Sequence, residues 1–242
     1  RGLGDVYKRQ NMGRAFEFRK ARKLKRWSNM AKTFTRIGRE IVITVKEGGP
    51  DPSSNSRLRA VIQNAKNANM PKDNIDRAIK RASEKGNDDF KEILLEGYGA
   101  HGIAVLIEAA TDNNNRTVAN IRSYFNKCDG NLATSGSVEF LFDRNCYIEI
   151  SNNNIDIEGL ELEFIDYGLL EVTKSDDLIT LISKFEDFGL IQKELEKRNI
   201  EIISSEFERL PKIRKSLNEE QKLKIDKLID LIDEDDDVQN VY

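Results

Sequence analysis

The sequence predicts an α+β protein with a basic N-terminal three-helix domain, a split ferredoxin-like α+β domain and a second α+β domain inserted into the split one. Helix-period apolar stripes fill residues 34–82, a strand-like apolar run follows at 103–110, and short strand and helix patterns alternate after Cys146. The predicted boundaries are 12–86 for the helical domain, 87–144 with 208–242 for the split domain, and 145–207 for the insertion.

Composition sets the broad class. At 242 residues with 38% hydrophobic content, the chain is long enough to bury a core in two or three domains. No apolar stretch approaches the roughly 20 residues that span a bilayer, and no signal-peptide pattern opens the chain, so we expect a soluble, cytoplasmic protein without a membrane partner. Cys128 and Cys146 form no CxxC pair, which disfavours a disulfide scaffold or a cysteine-rich zinc site. No cofactor is expected.

The net charge of -3 is unevenly distributed. Residues 12–85, here called the head, carry 19 Lys/Arg against 7 Asp/Glu, a net +12. Residues 86–242, here called the body, carry 17 Lys/Arg against 34 Asp/Glu, a net -17. This polarity is typical of a head that meets a polyanion and a body that does not.

Residues 1–11 are expected to be an artefact of gene assembly. The sequence DVYKRQ at 5–10 resembles the in-frame translation of a transposon end used in preparing sequencing libraries, and Met12 follows almost at once. The alternative is a genuine disordered extension. No secondary structure is therefore predicted for this stretch.

Residues 14–39 form a dense basic segment, with ten Lys/Arg, one acid and several aromatic side chains. Basic residues neutralise phosphates, and aromatic faces stack on bases for about 1–3 kcal/mol each. The alternatives are a solvated charged face and an organelle presequence. The candidate nucleic-acid contacts here are Arg14, Arg19, Lys20, Arg22, Lys23, Lys25, Arg26, Trp27, Lys32, Arg36 and Arg39.

Three helices are predicted in the head. The first spans the stripe at 34–45, although residues 41–43 are also compatible with a strand, and glycines at 48–49 end it. The second follows the stripe at 58–68. The third begins after Pro71, places its basic side chains opposite its apolar ones, and ends with Gly86 as C-cap. Its candidate contacts are Lys72, Arg77, Lys80 and Arg81.

Residues 96–117 lie near the junction between the basic N-terminal part of the chain and its acidic C-terminal part. The run 103–110 is predicted to be a buried strand and the first of the main sheet. The dinucleotide pattern G-x-G-x-x-G is met by Gly97, Gly99 and Gly102. Here it precedes the strand instead of following one, so we interpret the glycines as a tight approach to the sheet. His101, the single histidine, is interpreted as a turn or packing residue.

A βαβ unit is predicted next. Turn and N-cap residues at 113–117 start a helix with a stripe over 118–128, and residues 138–142 are interpreted as the returning strand. Residues 146–150 add an alternating strand that extends the pairing.

Later patterns complete the α+β prediction. The expected elements are a helix at 159–167, strands at 169–172 and 178–182, a helix at 185–198 and a strand at 200–207. After Pro211, we expect an amphipathic helix over 217–232, a solvated acidic turn at 233–237 and a strand starting at Val238.

Four segments carry a family resemblance. They read RLRAVIQNAKNANMPKDNIDRAIKRA, EGYGAHGIAVLIEAATDNNNRTVANIR, GNLATSGSVEFLF and DDVQNVY. Together they resemble the YebC/PmpR family across residues 12–242. The opening MGRAFEFRKARKLKRWSNMAK departs from the commoner GHSKWANIKHRK start, so the family's early histidine is not matched here, although Lys25, Trp27, Ser28 and Asn29 are similarly arranged.

The resemblance implies a three-domain, non-enzymatic protein with a basic helical head. Members of the family carry the label of DNA-binding transcriptional regulators. A mitochondrial relative is a translational activator of a cytochrome oxidase subunit, and bacterial members are implicated in relieving ribosomes stalled on proline-rich sequence.

Three functional hypotheses follow. We favour a ribosome-associated translation factor that contacts rRNA and tRNA, since no helix–turn–helix with an evident dimer interface is present and an acidic body permits only local insertion of the head. The alternative is a transcriptional regulator that binds promoter DNA. For either function, the sequence leaves the oligomeric state open and a monomer is favoured. A nucleic-acid-processing enzyme is the remote alternative, because the chain has one histidine, no phosphate loop and no paired-carboxylate metal motif.

Overall fold

A computed structural model describes residues 30–84, 90–153, 155–175 and 177–242. The predictions made for residues 1–29 and for Gly86 lie outside these ranges. The α+β class is confirmed: in the described chain, N-terminal helices are followed by two four-stranded antiparallel sheets. The limits of independently folding domains stay a prediction.

Three helices form the described part of the head: α1 (Met30–Gly48), α2 (Ser56–Asn67) and α3 (Lys72–Ser83). Helical spacing prevails in α1 over its β-branched residues, because Ile41 and Val45 pack into one core with Leu58 of α2 and Ile75 of α3. Asn55 caps α2 by accepting the N–H of Leu58. The three predicted head helices are confirmed.

The first sheet has the order β3–β1–β2–β8. Its strands are β1 (Lys91–Gly99), β2 (Ile103–Thr111), β3 (Asn131–Leu132) and β8 (Val238–Val241). Helix α4 (Asn114–Lys127) connects β2 to β3, and β1 lies between them, antiparallel to both, so the unit is a split βαβ. Helix α7 (Glu219–Glu234) leads into β8 and covers the same face as α4.

The strand at 103–110 is confirmed, but the prediction that it opens the main sheet is wrong. β1 precedes β2 and pairs with it along its whole length. Two of the three motif glycines belong to β1. A Cβ on Gly97 would lie 2.5 Å from the Phe125 ring of α4, so this glycine allows the helix to approach the strand. His101 is confirmed as an exposed turn residue, with a φ of 62°.

The returning strand predicted at 138–142 is also wrong. The strand that returns is β3, and a 3-10 turn spans Glu139–Leu141. The Glu96 carboxylate, 1% exposed, accepts the backbone N–H groups of Gly136 at 2.5 Å, Val138 at 2.6 Å and Glu139 at 2.8 Å. These donors are satisfied by a side chain instead of a neighbouring strand, which a short apolar run does not reveal.

The second sheet has the order β5–β6–β4–β7. Its strands are β4 (Phe142–Ser151), β5 (Leu169–Lys174), β6 (Leu178–Lys184) and β7 (Ile202–Pro211). With α5 (Ile157–Phe164) and α6 (Phe188–Lys197) they form a continuous βαββαβ arrangement of ferredoxin-like order. The predicted helices and short strands here are confirmed. The strand expected to extend the first pairing is instead β4, which pairs with β6 and β7.

Candidate nucleic-acid interface

Seven candidate contacts lie on described helices, three on α1 and four on α3. The remaining eight fall outside the described residues: Arg14, Arg19, Lys20, Arg22, Lys23, Lys25, Arg26 and Trp27. Their role stays a prediction from the sequence.

Helix α3 presents a basic face to solvent. Its exposed basic side chains are Lys72, Arg77, Lys80 and Arg81. Arg77, Lys80 and Arg81 lie away from Ile75 and Ala82, which are buried in the head core, because successive residues rotate by about 100° around a helix; Lys72 is exposed at the start of the helix. Asp73 and Asp76 share the exposed side, yet the four cations leave it net positive. This face can meet a phosphate backbone without disturbing the packing below it.

Three basic residues of α1 are held within the chain. Lys32, Arg36 and Arg39 donate to backbone carbonyls at and just beyond the end of α7. The acceptors are the carbonyls of Glu234 at 3.1 Å, Asp233 at 2.9 Å and Asp236. Carbonyls at a helix C-terminus lack intrahelical partners and carry the negative end of the helix dipole. The charges of α1 therefore hold the head against the body.

Asp237 completes this contact. Its carboxylate accepts from Arg39 at 3.0 Å, Arg116 at 2.8 Å and Thr117 at 2.7 Å, and the residue is 3% exposed. Burial alone would raise the pKa of Asp237, but the hydrogen bonds from Arg116 and Thr117 and the charge of Arg39 lower the pKa below its usual value. The prediction of a solvated acidic turn is therefore wrong: α7 continues through Glu234, and the last acid of the run is a buried ion-pair partner.

A cleft of about 1410 Å³ separates the head from the two sheets. Residues of α1 and α2 line one wall, β2 and β8 a second, and β4 and β7 a third. Its charged lining includes Glu40, Arg57, Glu92, Glu108, Arg144 and Arg209. This site is not apparent from the sequence, because its charged residues are far apart in the chain; the one local signal is Glu108 inside an apolar strand.

Carboxylates hold two of the arginines in the cleft. Arg57 of α2 forms an ion pair with Glu92 of β1. Arg209 of β7 donates to Glu108 at 2.8 Å and to Glu139 at 3.1 Å. Each of these arginines is therefore fixed in position and largely neutralised by its partners.

Glu40 brings a titratable group to the same cleft. The residue is half-buried by area, and desolvation of its carboxyl raises the pKa of Glu40 to about 7. The charge of Arg57 opposes this rise, whereas the charges of Glu92 and Glu108 add to it. The cleft thus contains a carboxylic acid that is partly protonated near neutral pH.

The described residues offer few other features that would indicate a metal site, a reactive thiol or a membrane-spanning segment. Within the described ranges, no group of three His, Cys, Asp or Glu side chains is arranged to hold a metal ion. Cys128 and Cys146 are buried free thiols. No helix among the described residues has the length and apolarity needed to cross a membrane.

Two family models match nearly the whole chain. One is described as the TACO1/YebC protein N-terminal domain and matches residues 14–85. The other is described as the TACO1/YebC second and third domain and matches residues 90–242.

Relatives and a solved structure agree with these matches. A "Probable transcriptional regulatory protein" of Flavobacterium johnsoniae is 65% identical over 231 residues, covering 96% of this chain and 98% of the relative. A protein of the same description from Parabacteroides distasonis is 55% identical over 232 residues, with 96% of each chain covered. The crystal structure of the conserved hypothetical protein Aq1575 from Aquifex aeolicus has a TM-score of 0.73 and 37% identity, with 88% of each chain covered.

Proposed function

The chain belongs to the TACO1/YebC family, and from this premise we propose that it is a non-enzymatic regulator of gene expression that binds nucleic acid through its head. The observation that carries the proposal is the exposed basic face of α3. The head core is formed by the apolar side chains of the same helix and does not include these basic side chains. Relatives described as probable transcriptional regulatory proteins support a regulatory role.

Electrostatics restricts how the protein approaches its target. The body has a net charge of -17, so it is repelled by long stretches of duplex DNA and of rRNA alike. Three of the basic residues of α1, Lys32, Arg36 and Arg39, are already bonded to backbone carbonyls at or just beyond the end of α7. Binding is therefore local, with α3 and the basic segment at 14–26 as its contacts.

We favour RNA on the ribosome as the physiological target. Trp27 lies among Lys25 and Arg26 in the sequence, and splayed RNA bases stack on aromatic side chains, whereas a closed B-DNA duplex offers them little unless it is kinked. A transcriptional regulator on promoter DNA is the second candidate, because the relatives are named as such.

Charge removal from α3 tests the interface. In the full-length chain, replacing Arg77, Lys80 and Arg81 by Gln should weaken nucleic-acid binding and make the log–log salt slope shallower by roughly 0.7 to 0.9 for each phosphate that is no longer neutralised. The helical circular dichroism signal should not change, since the apolar stripe is untouched. The matched control removes three exposed body cations, Arg122, Lys193 and Lys227, in the same way. Equal weakening by both triple variants would contradict the proposed interface.

A comparison in cells separates the two targets. Ribosome co-sedimentation with crosslink sequencing should show rRNA and tRNA crosslinks through the head, while genome-wide occupancy should show no sharp promoter sites. Trp27→Ala leaves the net charge unchanged and should weaken single-stranded RNA binding more than duplex DNA binding. Sharp promoter occupancy without ribosome association at moderate salt would favour the transcriptional candidate.

A further inference from the structure

The loop that joins β7 to α7, residues 212–218, is a basic segment on the acidic body and is here called the basic loop. It contains Lys212, Arg214 and Lys215 and no acidic residue, whereas the body as a whole has a net charge of -17. All three basic residues are exposed. A local excess of positive charge attracts a polyanion at this point, although the rest of the body repels it.

Hydrogen bonds hold two of these cations in place. The ammonium group of Lys212 donates to the carbonyl of Phe140 at 3.1 Å and forms an exposed ion pair with Asp143 at 3.1 Å. The ammonium group of Lys215 donates to the carbonyl of His101 at 2.6 Å. A carbonyl acceptor carries no net charge, and an exposed ion pair is weak in water. The two lysines are therefore oriented and keep most of their positive charge.

Phe140 presents an aromatic ring to solvent beside the basic loop. The residue is 64% exposed, whereas Val138, two positions earlier, is fully buried. The buried Glu96 carboxylate accepts the backbone N–H of Val138 at 2.6 Å. On the other side of the ring, the backbone N–H of Lys212 donates to the carbonyl of Leu141 at 2.8 Å. The exposure of the Phe140 ring is thus imposed by hydrogen bonds on both sides of it.

The basic loop also borders the cleft between the head and the two sheets. Arg214 and Lys215 line this cleft together with Arg36 of α1. Glu108, an acidic residue of the same lining, is half-buried and is paired with Arg209. The exposed basic side chains of the loop therefore lie at the rim of the cleft, on the body, and share the cleft with the basic helix α1 of the head.

We propose that the basic loop and Phe140 form a second RNA-binding surface, on the body, which takes an unpaired segment of the RNA that the head binds. This inference rests on the proposed function for the identity of the polyanion. Basic side chains that neutralise phosphates beside an aromatic ring that stacks on a base are the combination by which proteins bind single strands. A closed duplex offers no free base face to the ring. Two contacts on one strand raise the affinity above that of either contact alone.

Phe140→Ala tests the stacking contact without changing the net charge. In the full-length chain, it should weaken binding of an unstructured single-stranded RNA of about 20 nucleotides by about fivefold or more, measured by fluorescence anisotropy. Binding of an RNA duplex of the same length should not change. Phe140→Trp keeps a stacking face and should bind like the wild type, whereas Phe140→Leu keeps only the apolar surface and should bind like Phe140→Ala.

The matched control is Leu162→Ala on α5, which removes an apolar side chain from a residue that is 72% exposed. It should leave RNA binding unchanged, and thermal melting checks that every variant is folded. Equal affinity of Phe140→Ala and the wild type for the single strand would overturn the proposal. Full binding by Phe140→Leu would overturn the stacking contact as well.

Charge removal tests the basic loop itself. Replacing Lys212, Arg214 and Lys215 together by Gln should weaken binding of the single strand and make the log–log salt slope shallower by roughly 0.7 for each phosphate that is no longer neutralised. The triple body variant at Arg122, Lys193 and Lys227 is the charge-matched control and should show neither effect.

Comparison with the triple α3 variant separates this surface from the proposed interface on the head. Weaker RNA binding by the loop variants but not by the α3 variant would support the surface on the body and contradict the interface on α3. The reverse result would overturn the surface on the body and leave the proposed function intact. Unchanged RNA binding by the loop variants, together with lost binding of poly-glutamate, would assign the basic loop to an acidic protein partner and overturn the proposal.

Discussion

Glu40 illustrates, at the scale of one residue, how the cleft couples proton binding to stability. Its pKa is about 7 in the folded protein, above the ordinary value of 4.5. At pH values between about 4.5 and about 7, the Glu40 carboxyl is largely protonated in the folded protein and largely ionised in the unfolded chain. Stability therefore falls as pH rises from about 4.5 to about 7, and the loss persists above that range.

Replacing Glu40 by Gln should remove this loss. We expect Glu40→Gln to be more stable than the wild type near neutral to alkaline pH by up to about 3 kcal/mol, and to differ far less in mild acid. Urea unfolding at both pH values measures the difference. Glu201→Gln, at an exposed carboxylate, is the control and should show no such dependence. Equal destabilisation of Glu40→Gln at both pH values would contradict this assignment.

At the scale of elements, the close approach of α4 to β1 depends on Gly97. Replacing it by Ala would place a Cβ 2.5 Å from the Phe125 ring and 2.8 Å from the carbonyl oxygen of Asn131. We expect Gly97→Ala to cost about 1–3 kcal/mol in thermal or urea unfolding. The control is Gly38→Ala in α1, where nothing lies within 4 Å of the new Cβ and where Ala should stabilise the helix by up to about 1 kcal/mol. A neutral Gly97→Ala variant would show that α4 can shift.

Helices were predictable from the sequence because their signals are local. The N-cap of α4 is Asn113, which accepts the N–H of Arg116, and the stripe that follows it is buried as expected. Strand partners were not predictable in the same way. β1 contains glycines and acidic residues that obscure the alternation of apolar and polar side chains expected of a strand. The loop after β3 is held by Glu96, which lies about 40 positions earlier in the chain. Whether β4 pairs with the first or the second sheet is likewise decided by distant strands.

At the scale of the whole molecule, contacts from both α1 and α2 fix the head on the body. Arg39 of α1 reaches the buried Asp237, and Asn64 of α2 bonds to the backbone of Ser205. The sequence predicted the basic character of the head but not this docking, because Arg39 and Asp237 are 198 positions apart. For the same reason the cleft between them could not be predicted from any single segment.

Asp237→Asn should loosen the docking. The change keeps the size of the side chain but removes the carboxylate that pairs with Arg39, while Arg116 keeps its ion pair with Asp112, at an expected cost of about 3 kcal/mol. Hydrogen–deuterium exchange should become faster in α1, whereas Asp236→Asn, at an exposed neighbour, should leave the exchange unchanged. Because the pKa of Asp237 is lowered on folding, its contribution is present above the unfolded pKa and is lost as pH falls through the folded pKa. Unchanged exchange in Asp237→Asn would show that the other contacts of α1 and α2 hold the head without this ion pair.

The backbone carbonyls at the end of α7 and the Asp237 carboxylate beyond it pair with the basic side chains of α1. Backbone carbonyls and a buried carboxylate cannot diffuse away, and buried pairs are screened by salt far less than exposed ones. A polyanion bound to the exposed face of α3, as proposed above, would have no such protection. If α3 binds nucleic acid in this way, rising ionic strength should release the nucleic acid first and leave the head docked on the body.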